Sequence, residues 1–170
     1  MTWNKIIPAL ALVLLLQGCA IYSFSGASLP PEAKTFSLKF QSNVAKGPPD
    51  LLDKFQKKLG EKLEQSTLLK QVESQGDLRL EGVIKRFEYT SIAPIKTGGE
   101  EQASRERLTI TVQLNYINPY NEKASLSKKI FYHYADKPTN ESREAKELEL
   151  IEEIFTKLVK DIFNATVTSW

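Results

Sequence analysis

The residue best suited to covalent chemistry in this sequence is Cys19, its only cysteine. It ends the tetrapeptide LQGC at residues 16–19 and follows an apolar run at residues 6–16. A deprotonated thiol is a strong nucleophile, so it can accept an alkyl or acyl group. With no second cysteine in the sequence, an internal disulfide and a Cys-x-x-Cys metal site are both excluded. The chemistry expected at Cys19 is therefore attachment of a group supplied from outside.

Residues 1–18 have the layout of a secretory signal. Lys5 supplies a positive charge ahead of the apolar run, which is too short for the roughly 20 residues of a transmembrane helix. The order Leu-Gln-Gly-Cys resembles the lipobox of bacterial lipoproteins, although Gln17 stands where a small residue is usual. We therefore expect a lipoprotein signal peptide over 1–18 and lipid on Cys19. The alternatives are an uncleaved anchor and an ordinary signal with an incidental cysteine.

Catalytic constellations are not found in this sequence. The single histidine, His133, lies between two tyrosines on a predicted strand, where a lone histidine is usually structural or exposed. No G-x-S-x-G, H-E-x-x-H, P-loop or G-x-G-x-x-G motif is present. Gly98-Gly99 lacks the Lys-Ser/Thr and the helix that cradle a phosphate. The sequence therefore predicts a protein that is not an enzyme, without metal or cofactor.

Basic side chains near the ends of the predicted strands are the candidates for binding phosphate. Arginine and lysine recognise phosphate groups well, and lipid headgroups carry them. The candidates are Lys96, Arg105, Arg107, Lys128 and Lys129. The alternative is that they are scattered solubilising charges. Nucleic acid is not an expected ligand, because the net charge is only +2 and loss of Lys5 with the signal leaves +1.

The length indicates one domain behind a tether. Residues 20–33 are rich in Ser, Gly and Pro, so residues 19–33 are predicted to be the lipidated cysteine and a tether. Tyr22, Phe24 and Leu29 are large and apolar for a linker, and would contact either the domain or lipid. Residues 34–170 would form a single domain, which is long enough to bury a core without disulfides.

Alternating apolar and polar residues predict the strands of this domain. The four main ones are 34–42, 77–90, 108–117 and 124–136, the last running through Leu126, Ile130, Tyr132 and Tyr134. A change of apolar parity at Gly82 predicts a β-bulge there. Residues 67–73 are predicted to form only a short edge strand. Residues 91–104, which contain Pro94 and two glycines, are predicted to form a mobile loop.

Two amphipathic helices complete the predicted domain. The first covers residues 50–65, with Asp50 as N-cap and an apolar stripe of Leu52, Phe55, Leu59 and Leu63. The second covers residues 142–166, and acidic residues crowd its start, which suits the helix dipole. Its predicted stripe includes Leu148, Ile151, Phe155, Leu158, Ile162 and Val167.

This order of elements, β-α-β-β-β-α, predicts an α+β fold. The simplest arrangement is a two-layer α/β sandwich of one mixed four-stranded sheet with both helices on one face. The first crossover would be parallel and right-handed, and the later strands antiparallel. The polar face of strand 108–117, with Thr109, Thr111 and Gln113, would be left for solvent or a partner. We expect this face to meet a partner.

Several stretches together resemble one known family. They are residues 18–26 (GCAIYSFSG) with Leu29-Pro30, residues 76–82 (GDLRLEG), residues 107–112 (RLTITV) and the tail 152–170. The chain resembles the LptE family, the outer-membrane lipoproteins of lipopolysaccharide assembly. The most particular piece is the opening Cys-x-x-Tyr-x-Phe-x-Gly at residues 19–26.

The resemblance implies an α/β sandwich anchored by lipid to the inner leaflet of the outer membrane and facing the periplasm. It also implies that the protein plugs and helps to fold an LptD-type β-barrel, with direct contact to lipopolysaccharide as a further expectation. Only Cys19 is carried over as a family residue. The alternatives are a lipoprotein that activates or scaffolds another envelope machine, such as a peptidoglycan synthase or secretion system, and a periplasmic lipid carrier with an apolar pocket.

Overall fold

The computed structural model describes residues 29–93, 96–97, 100–101 and 104–167. Most of these residues lie in helices and strands. In chain order the elements are β1 (Thr35–Ser42), α1 (Leu51–Ser66), β2 (Lys70–Val72), β3 (Leu78–Ile92), β4 (Lys96–Thr97), β5 (Glu100–Glu101), β6 (Arg105–Ile117), a 3-10 turn (Glu122–Ala124), β7 (Leu126–Pro138) and α2 (Arg143–Val167).

The main sheet has five strands in the order β2-β1-β3-β6-β7. β1 pairs in parallel with both β2 and β3, whereas β3, β6 and β7 are joined antiparallel. The α+β class and the mixed sheet are confirmed, but the predicted count of four strands was one too low. The fifth strand is β2, the short edge strand anticipated at residues 67–73.

The predicted loop at residues 91–104 is also partly regular structure. β3 continues to Ile92, and β4 pairs antiparallel with β5 in a separate two-stranded sheet. A loop prediction based on Pro94 and the two glycines therefore missed these short pairings. Leu29, at the end of the predicted tether, is partly buried and packs against the core.

The core lies between the sheet and the two helices. On β6, alternate side chains from Leu108 to Tyr116 are buried, as the alternation predicted. The ring of Phe55 on α1 lies 5.2 Å from the ring of Phe40 on β1 and 5.3 Å from that of Phe155 on α2, measured between centroids. Both contacts are edge-to-face, a favourable aromatic geometry. Phe55 thus connects the sheet to both helices.

Two details of the helices differ from their sequence predictions. Asp50 occupies the N-cap position of α1, but its side chain makes no capping hydrogen bond. The carboxylate instead forms an ion pair with Lys54, at 2.9 Å. Leu148, assigned to the apolar stripe of α2, is exposed. It lies in the second turn of α2, before Leu150, which is the first buried residue of the helix.

The bulge in β3 lies at Lys85 rather than at Gly82. The pairing of β3 with β6 shifts register between Ile84 and Arg86. A Cβ on Gly82 would lie 2.5 Å from Cε1 of Phe40 and 2.6 Å from the carbonyl oxygen of Gln113. Gly82 therefore leaves room for the ring of Phe40. Because Gly82 has no side chain, the sequence pattern places the change of apolar parity at residue 82, three residues before the actual bulge.

Gly76 is expected to tolerate no side chain. A Cβ there would lie 2.5 Å from both the carbonyl carbon of Phe36 and the amide nitrogen of Ser37, which are backbone atoms. Gly76→Ala should lower the free energy of unfolding by about 2–3 kcal/mol, as overpacking does elsewhere. Urea denaturation of the purified chain measures this loss. An unchanged unfolding midpoint would contradict the predicted clash, and Ser74→Ala, in the same turn, is the control.

Candidate functional site

A β-bulge in β7 decides which of its side chains face away from the helices. Leu114 of β6 pairs with Lys129, but Tyr116 pairs with Leu126, so two β7 residues stand opposite Asn115. Lys128, one of these two, has a left-handed backbone with φ of 51°. Its amide donates a hydrogen bond of 2.7 Å to Oδ1 of Asn115. The bulge moves the following residues of β7 into a new register with β6.

The new register creates a mixed apolar and polar surface on the side of the sheet opposite the helices. Ile130, Tyr132 and Tyr134 are 47%, 64% and 44% exposed. They pair across the strands with three residues of β6, and residues paired in this way share a face. We call the surface formed by these six residues the open sheet face. Its members are Thr109, Thr111, Gln113, Ile130, Tyr132 and Tyr134.

One end of the open sheet face is held by a bidentate ion pair. Nε and a terminal nitrogen of Arg107 donate to the two carboxylate oxygens of Asp136 at 2.7 and 2.9 Å. The same guanidinium lies over the ring of Tyr134, 3.6 Å from its centroid. Hydrogen bonding from Arg107 lowers the pKa of Asp136. The guanidinium is therefore fixed at this edge, since a bidentate pair leaves little rotamer freedom.

The five predicted phosphate-binding residues do not form one cluster. Arg105 and Arg107 begin β6, whereas Lys128 and Lys129 begin β7 beside the opposite end of β6. Arg107 and Leu114, which pairs with Lys129, are seven positions apart, or roughly 23 Å along a strand. Arg107 is already paired with Asp136. Lys96 lies in β4, and Cys19 lies outside the described residues.

His133 lies on the helix side of β7. Its Nε2 is 2.7 Å from Oδ2 of Asp161 on α2. Since Ile110, its partner across the strands, is fully buried, the ring faces the helical layer. This contact connects β7 to α2, in agreement with a structural role for the lone histidine.

Asp77 connects the start of β1 to the start of β3. Oδ2 accepts hydrogen bonds from the amides of Lys34 and Thr35 and from the Thr35 hydroxyl, at 2.8–2.9 Å. The amide of Asp77 in turn donates to that hydroxyl at 3.0 Å. These hydrogen bonds lower the pKa of Asp77, with the Lys34 amide the largest cause. The chain leaving the predicted tether is therefore fixed to the sheet at this point.

A second charged cluster connects β6 and β7 to the start of α2. Lys137 is only 2% exposed, and its Nζ lies 2.9 Å from Glu106 and 2.6 Å from the carbonyl oxygen of Glu141. Arg143 donates to both carboxylate oxygens of Glu106, and its guanidinium lies over the ring of Tyr89. Hydrogen bonds from Arg143 and Lys137 hold the pKa of Glu106 at about 2. A buried lysine persists here because its ammonium is fully paired.

Lowering the pH should reduce the stability of the fold by protonating Glu106. Its pKa falls from 4.5 to about 2 on folding, so its stabilisation is complete above pH 4.5 and is lost as the pH falls toward 2. Glu106→Gln should therefore destabilise most at neutral pH, and the difference from wild type should shrink through that window. Thermal unfolding between pH 2 and 7 measures this. A difference that stays constant with pH would contradict the assignment.

The described residues add two further findings. No described group of three or more His, Cys, Asp or Glu side chains is arranged to hold a metal ion. Within the same residues, neither α1 nor α2 has the length and apolar character needed to cross a membrane.

Sequence reasoning missed the aromatic part of the open sheet face and both charged clusters. Ile130, Tyr132 and Tyr134 were recognised as strand residues, but their exposure was not predicted. Phe131 and Ala135 have the opposite parity on β7 and are buried, but His133 and Lys137 share that parity, so alternation did not decide the orientation of the strand. The pairing of Glu106 with Lys137 had no local signal, because the two residues come from different strands.

Comparison with known proteins identifies the family. The LptE family model, described as Lipopolysaccharide-assembly, matches residues 33–166. No curated protein sequence matches the chain.

Among solved structures, lipoprotein B from Nitrosomonas europaea is similar, with a TM-score of 0.51 and 13% identity over 85% of this chain and 87% of that one. Rare lipoprotein B from Shewanella oneidensis has a TM-score of 0.44 and 13% identity, over 76% and 89% of the two chains. At such identity the first structure supports the fold alone. The family match covers most of the sequence, and the chain belongs to the LptE family of lipopolysaccharide assembly.

Proposed function

We propose that this chain is a non-catalytic outer-membrane lipoprotein that acts as plug and folding partner of an LptD-type β-barrel. In this proposal residues 1–18 are removed, Cys19 carries the lipid and residues 19–33 connect it to a domain that faces the periplasm. Membership of the LptE family supports the role in lipopolysaccharide assembly. The single observation that favours a protein partner is the open sheet face.

The composition of the open sheet face suits a protein interface. Tyrosine and arginine are enriched in the cores of such interfaces, and lysine is depleted. Tyr132 and Tyr134 stand side by side on β7, with Arg107 fixed against Tyr134. Exposed apolar side chains clustered in this way cost free energy in water unless a partner covers them. Short threonines beside the tyrosines leave room for a partner's side chains.

Direct contact with lipopolysaccharide is the second part of the proposal. Its phosphates would meet the basic side chains at the ends of β6 and β7. Arg105 and the Lys128–Lys129 pair are the candidates, and Lys96 remains a candidate on β4. Arg107 is the weakest of the five, because Asp136 already occupies its guanidinium. These residues lie at opposite ends of the sheet, so a single ligand phosphate would not meet them all.

The non-catalytic part of the proposal is supported by the position of His133. Its Nε2 is engaged with Asp161 of α2, a contact that joins β7 to the helical layer and gives the ring a structural role. The packing of Phe55 between the sheet and both helices also favours a solid core over a lipid-carrier pocket. A different envelope machine as partner remains the competing function.

The test is affinity purification of the mature lipidated protein from detergent-solubilised outer membranes, with partners identified by mass spectrometry. A large β-barrel protein in stoichiometric amount is the expected result. Recovery of a peptidoglycan synthase or secretion component instead would overturn the proposed partner and support the competing function. Recovery of no partner would also overturn it and would favour the carrier.

A further inference from the structure

A groove runs along the surface between α1 and α2, on the layer of the domain opposite the open sheet face. Its volume is about 490 Å³, in the range of small-molecule sites. Three lysines stand around it, Lys58 and Lys62 on α1 and Lys160 on α2. Among the described residues that line it, Glu61 is the only acidic one. The groove is thus locally basic in a chain whose net charge is only +2.

The lysines of the groove differ in what they already bind. Lys58 forms an ion pair with Glu152, so its positive charge is largely neutralised. Lys62 places its Nζ over the ring of Phe163, 4.9 Å from the centroid. Lys160 is exposed. Lys62 and Lys160 therefore carry the positive charge that remains for a ligand.

The floor of the groove is apolar. Val159 and Phe163 come from α2, one turn apart, and are largely buried beneath the lysines. The cation–π contact holds the ammonium of Lys62 against this floor rather than out in solvent. A cationic group fixed beside an apolar surface complements a molecule in which an anionic head adjoins a hydrocarbon chain. Lysine suits a tetrahedral phosphate, because its ammonium acts as a point charge with three donors.

We propose that this groove binds the headgroup of an anionic phospholipid. The phosphate lies between Lys62 and Lys160, and the first methylenes of an acyl chain lie on Val159 and Phe163. This site is independent of the proposed barrel partner, since it uses the helical layer and none of the open sheet face.

The experiment titrates the mature lipidated protein, held in zwitterionic detergent micelles, with short-chain lipids. Dihexanoyl phosphatidylglycerol is the anionic probe, dihexanoyl phosphatidylcholine the zwitterionic one and inorganic phosphate the free anion. Amide chemical shifts in residues 58–65 and 156–164 report binding. Phosphatidylglycerol should give saturable shifts confined to these segments, and the double variant Lys62→Gln/Lys160→Gln should weaken binding roughly fivefold or more.

The matched control is Lys57→Gln/Lys157→Gln, which removes one lysine from each helix at positions outside the groove. It changes the net charge by the same amount and should leave the affinity within about twofold. Equal weakening by both double variants would overturn the proposal, because only general charge would then matter. Equal binding of phosphatidylcholine or of inorganic phosphate, or no localised shifts, would overturn it as well. Both variants should unfold at the wild-type temperature.

Discussion

Replacing Tyr132 by aspartate is expected to reduce recovery of the β-barrel partner at least about tenfold. Tyr132 lies at the centre of the open sheet face, between Ile130 and Tyr134 on β7, and pairs with Thr111 of β6. An aromatic residue at the centre of an interface is commonly worth about 2 kcal/mol or more. A carboxylate in its place would also have to be desolvated without a partner. Quantitative mass spectrometry of the affinity-purified material measures the ratio of barrel to bait.

The matched control is Leu68→Asp. Leu68 is 98% exposed and lies in the connection between α1 and β2, away from the open sheet face. Both substitutions replace an exposed apolar side chain by the same carboxylate, so the control should retain wild-type recovery. Since Tyr132 is mostly exposed, its variant should unfold within about 1 kcal/mol of wild type, which is the cost of placing aspartate in a strand. Equal recovery from both variants would exclude the open sheet face as the barrel contact.

The elements with strong periodicity were predictable because one physical cause dominates them. On β6 every second side chain enters the core, so Leu108, Ile110, Val112 and Leu114 follow the alternation without interruption. The two helices begin and end within one residue of their predicted bounds, since each has a continuous apolar stripe. The family match agrees with the resemblance drawn from residues 76–82 and 107–112.

The bulges were not predictable in the same way, because each depends on contacts between strands. The sequence pattern at Gly82 is typical of a bulge, yet Gly82 stays in register with β6. Its lack of a side chain instead leaves room for the ring of Phe40, a residue of another strand. The actual bulge at Lys85 carries no glycine or proline as a local mark. The bulge in β7 depends on the bond between Asn115 and the left-handed Lys128.

The local sequence pattern also did not predict which side chains of β7 face the helices, and so it did not predict the open sheet face. Both parities of this strand mix apolar and polar residues, so alternation does not choose between them. The inward parity includes Lys137, which a sequence reading places in solvent. It is buried because Glu106 from β6 and the carbonyl oxygens of Pro138 and Glu141 satisfy its ammonium. Tertiary pairing therefore turned the lysine inward and left Tyr132 and Tyr134 outside.

The largest loss of stability is expected from Phe55→Ala. The side chain is fully buried and makes edge-to-face contacts with Phe40 of β1 and Phe155 of α2, so its removal opens a cavity where three elements meet. Such truncations cost about 3–5 kcal/mol, a large share of a typical domain's total of about 5–15 kcal/mol. Urea denaturation followed by circular dichroism measures the free energy of unfolding, provided that the transition is two-state.

Comparing Phe55→Leu with Phe55→Ala separates the free-energy cost of the cavity from the cost of losing the aromatic contacts. Leucine keeps most of the apolar volume, so its cost should be about 1.5 kcal/mol or less, clearly smaller than that of alanine. A fold that depends on Phe55 to hold α1 and α2 on the sheet should show this order, with both variants unfolding at lower urea concentration than wild type. If alanine cost no more than leucine, the rest of the core would be closing the gap, and Phe55 would not be the residue that joins the two layers.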